Sequence, residues 1–292
     1  LESELWFQQS DTQGLVEDDS AFGVGINLPS AEGFRGGAQF RRYEQNFNPA
    51  LGFLNRRGVT DATFDLGYTL WPEQGRLQFW RITFDGQQVR RIDGGLQSQS
   101  LNLRPFVLTN RQGDTFDMIN RVWKENLTRP FEIFPGIVIP VGDYGFRDTG
   151  GQISFSEFRR FSGLFRYIDG SFYGGERTDI VTQLNWRPSP KFRGAIGYTY
   201  NDVRLPQGDF EVRLVSMNLD YVFSSTFSWV NLIQYDNVSE TVGLNSRLHW
   251  IPEAGRELFF VINHNLQDFD RDNSFNSLQA DVSIKYTHTF RF

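Results

Sequence analysis

The chain closes on Lys285-Tyr286-Thr287-His288-Thr289-Phe290-Arg291-Phe292, and counted back from Phe292 every second residue is apolar or bulky. That row runs Phe290, His288, Tyr286, Ile284, Val282, Ala280, Leu278. Between its members stand Arg291, Thr289, Thr287, Lys285, Ser283, Asp281, Gln279 and Ser277. A period of two puts the two sets on opposite faces of an extended strand. Strands of soluble sheets usually run to about five or six residues. This one is far longer, apolar on one face, polar on the other, and ends in an aromatic.

Such a strand fits the last strand of a bacterial outer-membrane β-barrel, where one face meets lipid and the other a polar or water-filled lumen. Composition agrees. Of 292 residues 16% are aromatic, yet 22% are charged and the mean hydropathy is −0.43. A helical membrane protein needs apolar runs of about 20 residues. The nearest approach, Phe134-Pro-Gly-Ile-Val-Ile-Pro140, is short and broken by prolines. A barrel escapes that requirement because only alternate residues face lipid. The length suits one large all-β unit, so a single domain over residues 1–292 is expected.

Other segments alternate in the same way. Phe22, Val24, Ile26 and Leu28 form one such row; Phe64, Leu66, Tyr68 and Leu70 another. Ile180, Thr182, Leu184 and Trp186 interleave with Asp179, Val181, Gln183 and Asn185. Phe192, Ile196, Tyr198 and Tyr200 interleave with Arg193, Ala195, Thr199 and Asn201. Val242, Leu244, Leu248 and Trp250 interleave with Thr241, Asn245, Arg247 and His249. Residues 226–236 and 257–266 are apolar on both faces, and periodicity leaves their inward side open.

The connections, counted back from Phe292, alternate between long and short. Residues 267–275, 201–209, 170–176, 125–145, 85–95, 44–58 and 9–20 read as long, with 236–240 moderately so. Those near Gly255, Ser224, Pro188, Arg160, Asn110, Pro72 and Pro29 read as short. Outer-membrane barrels have short periplasmic turns and longer external loops. The pattern predicts about 14–16 antiparallel up-and-down strands with both termini periplasmic. A soluble sandwich or propeller is the alternative, but no repeat of the length a propeller needs is present.

Particular stretches carry a resemblance. They are Asn46-Phe-Asn-Pro-Ala-Leu-Gly-Phe-Leu-Asn-Arg-Arg-Gly58, Pro130-Phe-Glu-Ile, Ile139-Pro-Val-Gly-Asp-Tyr-Gly-Phe146 and Phe172-Tyr-Gly-Gly-Glu-Arg-Thr178. Leu184-Asn-Trp-Arg-Pro-Ser-Pro190, Tyr200-Asn-Asp-Val-Arg-Leu-Pro206 and Leu248-His-Trp-Ile-Pro through Leu258-Phe-Phe-Val261 complete the set. Together they resemble the C-terminal part of a family of uncharacterised bacterial outer-membrane proteins whose longer members carry a carbohydrate-binding (family 9-like) domain before a barrel. The resemblance spans nearly the whole chain. It implies further upstream strands, because the family's Asn-Pro-Asp-Phe and Phe-Phe-Pro-Glu-Lys-Arg-Pro-Phe-Phe motifs are absent here. The strands would then be part of a larger barrel, closed by missing strands or by a partner chain. The ending also resembles the signal read by the barrel-assembly machinery: Lys285, Phe290 and Phe292 fit it, while Thr287 stands where glycine is usual.

The chain has no cysteine, which excludes disulfides, thiolate catalysis and Cys-based zinc sites. A net charge of −6 argues against a nucleic-acid partner. The three histidines, His249, His264 and His288, show no ligand spacing. Asp268, Asp270 and Asp272 alternate as in hard-cation loops. Asn273 and Gln279 stand where an EF-hand places Gly and Glu, so a solvated acidic loop is favoured over a metal site. Arg56-Arg57, Arg90-Arg91 and Arg159-Arg160 are candidates for lipopolysaccharide phosphates or a pore mouth, with solvated rim charge as the simpler reading. Asn46–Gly58 and 128–146 are candidate in-folded plug segments. Neither Asn126-Leu-Thr128 nor Asn237-Val-Ser239 carries meaning as a glycosylation acceptor in this setting.

Asp65, Gln183, Asn185, Arg193, Asn201, Asn245 and Arg247 are the expected lumen-lining residues. No cofactor and no catalysis are expected. The expected function is a non-enzymatic pore or uptake channel, with a link to carbohydrate implied by the longer relatives. A barrel wall that anchors or sheathes a partner protein, or a periplasmic sugar-binding domain, is the second expectation, and a barrel enzyme acting on lipid or glycan the third.

Overall fold

The computed structural model describes residues 1–14, 17–49, 52–272 and 274–290. They form β1 (Glu2–Gln9), β2 (Ser20–Leu28), β3 (Gly33–Tyr43), β4 (Val59–Leu70), β5 (Leu77–Arg91), β6 (Leu96–Asn110), β7 (Thr115–Leu127), β8 (Phe131–Phe134) and β9 (Ile137–Ile139). There follow β10 (Gly142–Phe155), β11 (Phe161–Phe172), β12 (Gly175–Ser189), β13 (Phe192–Leu205), β14 (Gly208–Ser224), β15 (Phe227–Asp236), β16 (Thr241–Glu253), β17 (Arg256–Gln267) and β18 (Asn276–His288). Sixteen strands make one up-and-down sheet in chain order, and β8 pairs only with β9. No described helix is long and apolar enough to cross a membrane. The strand order begins at β1 and ends at β18, which do not pair with each other, so the sheet is open and not a closed barrel.

The chain packs as two compact units. The first comprises Leu1–Gln152 with Ile168–Arg177 and Val203–Asp209. Its register assigns every side chain from β1 to β6 to a face, because residues directly opposite across an antiparallel pair share one. On one face lie Leu5 and Phe7, then Phe22, Val24, Ile26 and Leu28, then Phe34, Ala38 and Phe40. Phe64, Leu66, Tyr68 and Leu70 continue that row, followed by Phe84, Leu101 and Leu103. Many of these are exposed, with Leu5 at 83% and Phe34 at 75%. The opposite face carries Glu2, Glu4, Asn27, Arg35, Gln39, Arg41, Asp61, Asp65, Arg81, Asp85, Gln87 and Asn102. Trp6 also lies there, its indole occupying the space where a side chain at Gly23 would stand.

The second unit comprises Ile153–Tyr167, Thr178–Asp202 and Phe210–Phe292. Its register resolves the segments whose inward side the sequence left open. Leu258, Phe260 and Ile262 share the apolar face with Tyr286, Ile284 and Val282, and with Trp250 and Leu248 on the other side. Phe227, Trp229 and Ile233 extend that face, while Arg247, Asn245, Asn263 and Asp281 lie on the polar one. Asn231 and Ser246 interrupt the apolar face, and each is satisfied locally. Ser246 donates to Asn231 at 2.7 Å and accepts from the Trp229 indole at 2.9 Å. Asn231 donates in turn to the Leu219 carbonyl at 3.2 Å.

Three connections expected to be long are tight. β5 and β6 are joined by 92–95 alone, since Asp85, Gly86 and Gln87 pair with Asp65, Phe64 and Thr63. Only Tyr173 and Gly174 join β11 to β12, and only Pro206 and Gln207 join β13 to β14. Loop-like composition misled there because those residues continue their strands. Glycine and charged residues at 85–88, 170–176 and 201–209 satisfy their backbone groups by ladder pairing. The expected long connections at 44–58, 128–141 and 268–275 are present, the second holding the β8–β9 hairpin.

Candidate functional site

The polar face of the first unit holds a network of paired side chains. Asp148 on β10 is 4% exposed and takes a two-pronged bond from Arg121 on β7, Nε at 2.8 Å and Nη2 at 2.6 Å. Arg177 reaches the same carboxylate at 4.0 Å. Asp117 is held by Arg104 in the same fashion, with Nε at 3.1 Å. Asn102 donates to Asp85 at 2.7 Å, Gln87 to Asp61 at 2.8 Å and Asn27 to Glu2 at 3.1 Å. A planar guanidinium matches a carboxylate with two parallel bonds, which fixes both side chains.

Beside this network lies a well-buried apolar cluster. Ile137 and Ile139 of the β8–β9 hairpin are buried with Phe146, Ile168, Tyr173, Val203 and Leu205. Trp123 stacks on Phe146 with ring centres 4.8 Å apart. Tyr173 meets Phe131, Tyr144, Phe146 and Phe172 edge-on at 4.7–5.4 Å. Trp123 and Phe146 alternate with the outward residues of their strands and share the face of Arg121 and Asp148, so the 128–146 candidate plug packs onto the polar face. The Tyr173 hydroxyl donates to Glu125 at 2.8 Å. Tyr173 adopts a positive φ of 43°, which its two-residue turn requires and a bulky residue seldom accepts.

Burial, and then the Glu125 carboxylate, push the Tyr173 hydroxyl above the ordinary tyrosine value. A raised folded-state value stabilises the fold fully below the unfolded tyrosine's titration, and that stabilisation is lost as pH climbs through the folded value. The native chain is therefore expected to lose more stability than Tyr173→Phe above about pH 10. Urea midpoints at pH 8 and pH 11 measure this; parallel losses in the two proteins would refute it.

The other in-folded candidate is tied at strand ends. Asn48 accepts from Arg57 through its side-chain oxygen and donates its backbone N–H to the Ser10 hydroxyl at 2.9 Å, while Arg56 donates to Ser98 of β6 at 2.7 Å. Phe47 is buried and Phe53 is exposed; Ala50 and Leu51 lie outside the described residues. Arg91 bonds Asn126 at 2.9 Å.

Of the seven polar residues singled out in the sequence, Asp65 lies on the polar face of the first unit, opposite Gly37 and Asp85. Gln183 and Asn185 bond each other at 3.2 Å in the second unit. Arg193 and Asn201 occupy β13, and Asn245 pairs with Asn263 beside Arg247 on β16. Sequence reasoning missed Arg35, Arg81 and Arg104, which register brings to one patch; no spacing in the chain signals it. Arg81 donates to Thr69 at 3.0 Å, whereas the buried Nε of Arg35 has no hydrogen-bond partner. An unpaired buried donor costs about 1–3 kcal/mol.

Among the described residues no three His, Asp or Glu are placed to hold a metal ion. Asp268 is buried and accepts the Asp272 backbone N–H at 3.2 Å; Asn273 lies outside the described residues. His249 stacks on Phe259, His264 bonds Ser277 at 3.0 Å and His288 bonds Tyr286 at 3.3 Å. The His264–Ser277 pair has no described carboxylate on its second nitrogen, the orienting group that an acyl-transfer triad uses. Lys285 lies opposite Phe259 and Phe290 is exposed, while Phe292 falls outside the described residues. No protein-family model matches the chain, and no curated protein matches it.

Proposed function

We propose that the chain is the wall of a bacterial outer-membrane β-barrel that passes or takes up solutes and carries out no catalysis. The supporting observation is an apolar face opposite a polar one, clearest from β1 to β4 and on β16 and β18, while β15 and β17 carry Val230, Leu232, Phe259 and Val261 on the polar side as well. An exposed row of Phe, Leu, Ile and Trp suits hydrocarbon, and the opposite row of acids, amides and arginines suits water. Strands of up to 17 residues are longer than a tilted span of about ten requires, so their ends stand clear of the bilayer.

In this reading Asp65, Gln183, Asn185, Arg193, Asn201, Asn245 and Arg247 line the lumen. Lipid and lipopolysaccharide surround the apolar face, the assembly machinery reads the C-terminal strand, and the link to carbohydrate rests on the family resemblance. The free edges of β1 and β18 need pairing in a bilayer, where unpaired backbone groups cost several kcal/mol each. Further strands or a partner chain supply it. Planar-bilayer recordings of the purified protein are expected to give discrete conductance steps, and a sealed, ion-tight insertion overturns the channel.

The open edges favour a second reading, a structural wall that anchors or sheathes a partner protein or a periplasmic sugar-binding domain. Co-purification from membranes separates the two, because a stoichiometric partner belongs to the second.

A further inference from the structure

We propose that Arg35, Arg81 and Arg104 form an oxyanion site on the polar face of the first unit, taking the phosphate or sulfate group of a water-soluble solute. Register places them. Arg35, Gly67, Thr83 and Arg104 form one row across β3, β4, β5 and β6. Gly33, Thr69, Arg81 and Val107 form the next same-face row, about 7 Å away. The Arg35 side chain lies flat across Gly67: a Cβ there would stand 2.7 Å from Arg35 Nε and 3.1 Å from its Cγ. Glycine at 67 thus lets Arg35 reach over β4 toward Arg81, on which the charges of Arg35 and Arg104 both act.

The donors are largely unspent. A guanidinium offers five N–H groups. Arg104 spends two on Asp117, Arg81 one on Thr69, and Arg35 none on any described acceptor. No acidic side chain among the described residues pairs with Arg35 or Arg81, although Asp65 and Asp85 occupy the next row along. Asp85 is instead bonded by Asn102. Facing like charges with free donors repel one another, and a multivalent oxyanion relieves the repulsion while accepting several of those donors. Thr69 and Thr83 stand in the same two rows, the Thr69 hydroxyl accepting from Arg81 and so fixing that side chain. A lone carboxylate offers fewer acceptors and less charge, so phosphate or sulfate is the better match.

The test does not need the channel reading, since it measures binding and not conductance. The full chain in non-ionic detergent is titrated calorimetrically with inorganic phosphate, sulfate and acetate. Phosphate and sulfate are expected to bind more tightly than acetate. Arg35→Gln and Arg81→Gln should each weaken phosphate binding by about tenfold or more. Gly67→Ala keeps every charge but fills the space under Arg35, and should weaken binding comparably with the β-sheet circular dichroism unchanged. Arg256→Gln, on β17, should leave affinity unaltered. The proposal is overturned if the native chain binds neither anion. Weakening by Arg256→Gln as strong as by Arg35→Gln, or full affinity in folded Gly67→Ala, overturns it too. Displacement of phosphate by phosphatidylglycerol in mixed micelles would reassign the site to a lipid headgroup and overturn the soluble solute.

Discussion

Asp148→Ala is expected to destabilise the first unit by about 3–5 kcal/mol. The carboxylate is 4% exposed, accepts two hydrogen bonds from Arg121 and pairs in charge with Arg177 at 4.0 Å. Deleting it removes the negative charge shared by two guanidiniums, one beside the Trp123 ring and one over the Phe172 ring. The cost arises from stranding charge, not from the intrinsic strength of the pair. The same substitution in an Arg121→Met background should therefore cost clearly less, since one stranded cation is gone. Urea midpoints of the native chain, both single variants and the double variant close the cycle. Additive costs would show that Arg121 and Asp148 behave as independent, solvated groups.

Ile139→Ala should cost about 2–5 kcal/mol, and the effect should be local. Ile139 is fully buried, and the β8–β9 hairpin has no other strand to pair with. A two-stranded hairpin is marginal alone, so packing holds it in place. Loss of three carbons from its most buried position should release 131–139 to exchange and proteolysis while the sixteen-stranded sheet persists. Hydrogen exchange by peptide reads this directly. Unchanged protection would assign the anchoring to the Phe131–Tyr173 contact. Should the barrel reading hold, the same variant gives a larger or noisier conductance, because the hairpin lies on the polar face.

The strands were legible because alternation is a local signal that the pleat imposes on the chain. Rows such as Phe22 to Leu28 and Leu278 to Tyr286 lie where period two placed them, and the number of sheet strands falls within the expected range. Loop lengths at 85–95, 170–176 and 201–209 were misread because composition was weighed above pairing. Val203 and Leu205 still alternate within the last of these and are buried. The faces of 226–236 and 257–266 needed a partner strand, because both of their own rows are apolar. The arginine patch was invisible for the same reason at longer range. Arg35, Arg81 and Arg104 are distant in sequence, and only the register across four strands brings them together. The open edge was legible only through the family resemblance, which implied further strands, since closure is a property of pairing that no single strand encodes.

Trp6 sits on the strand that bears one free edge, its indole filling the vacancy above Gly23. The molecule thus carries an optical reporter at one open edge of its sheet, the edge that the barrel reading would have a further strand pair with. Any strand that joins β1 changes the solvent around that ring, so its emission maximum follows sealing of the seam in real time. A Trp6→Phe chain provides the blank that isolates its signal from the other six tryptophans.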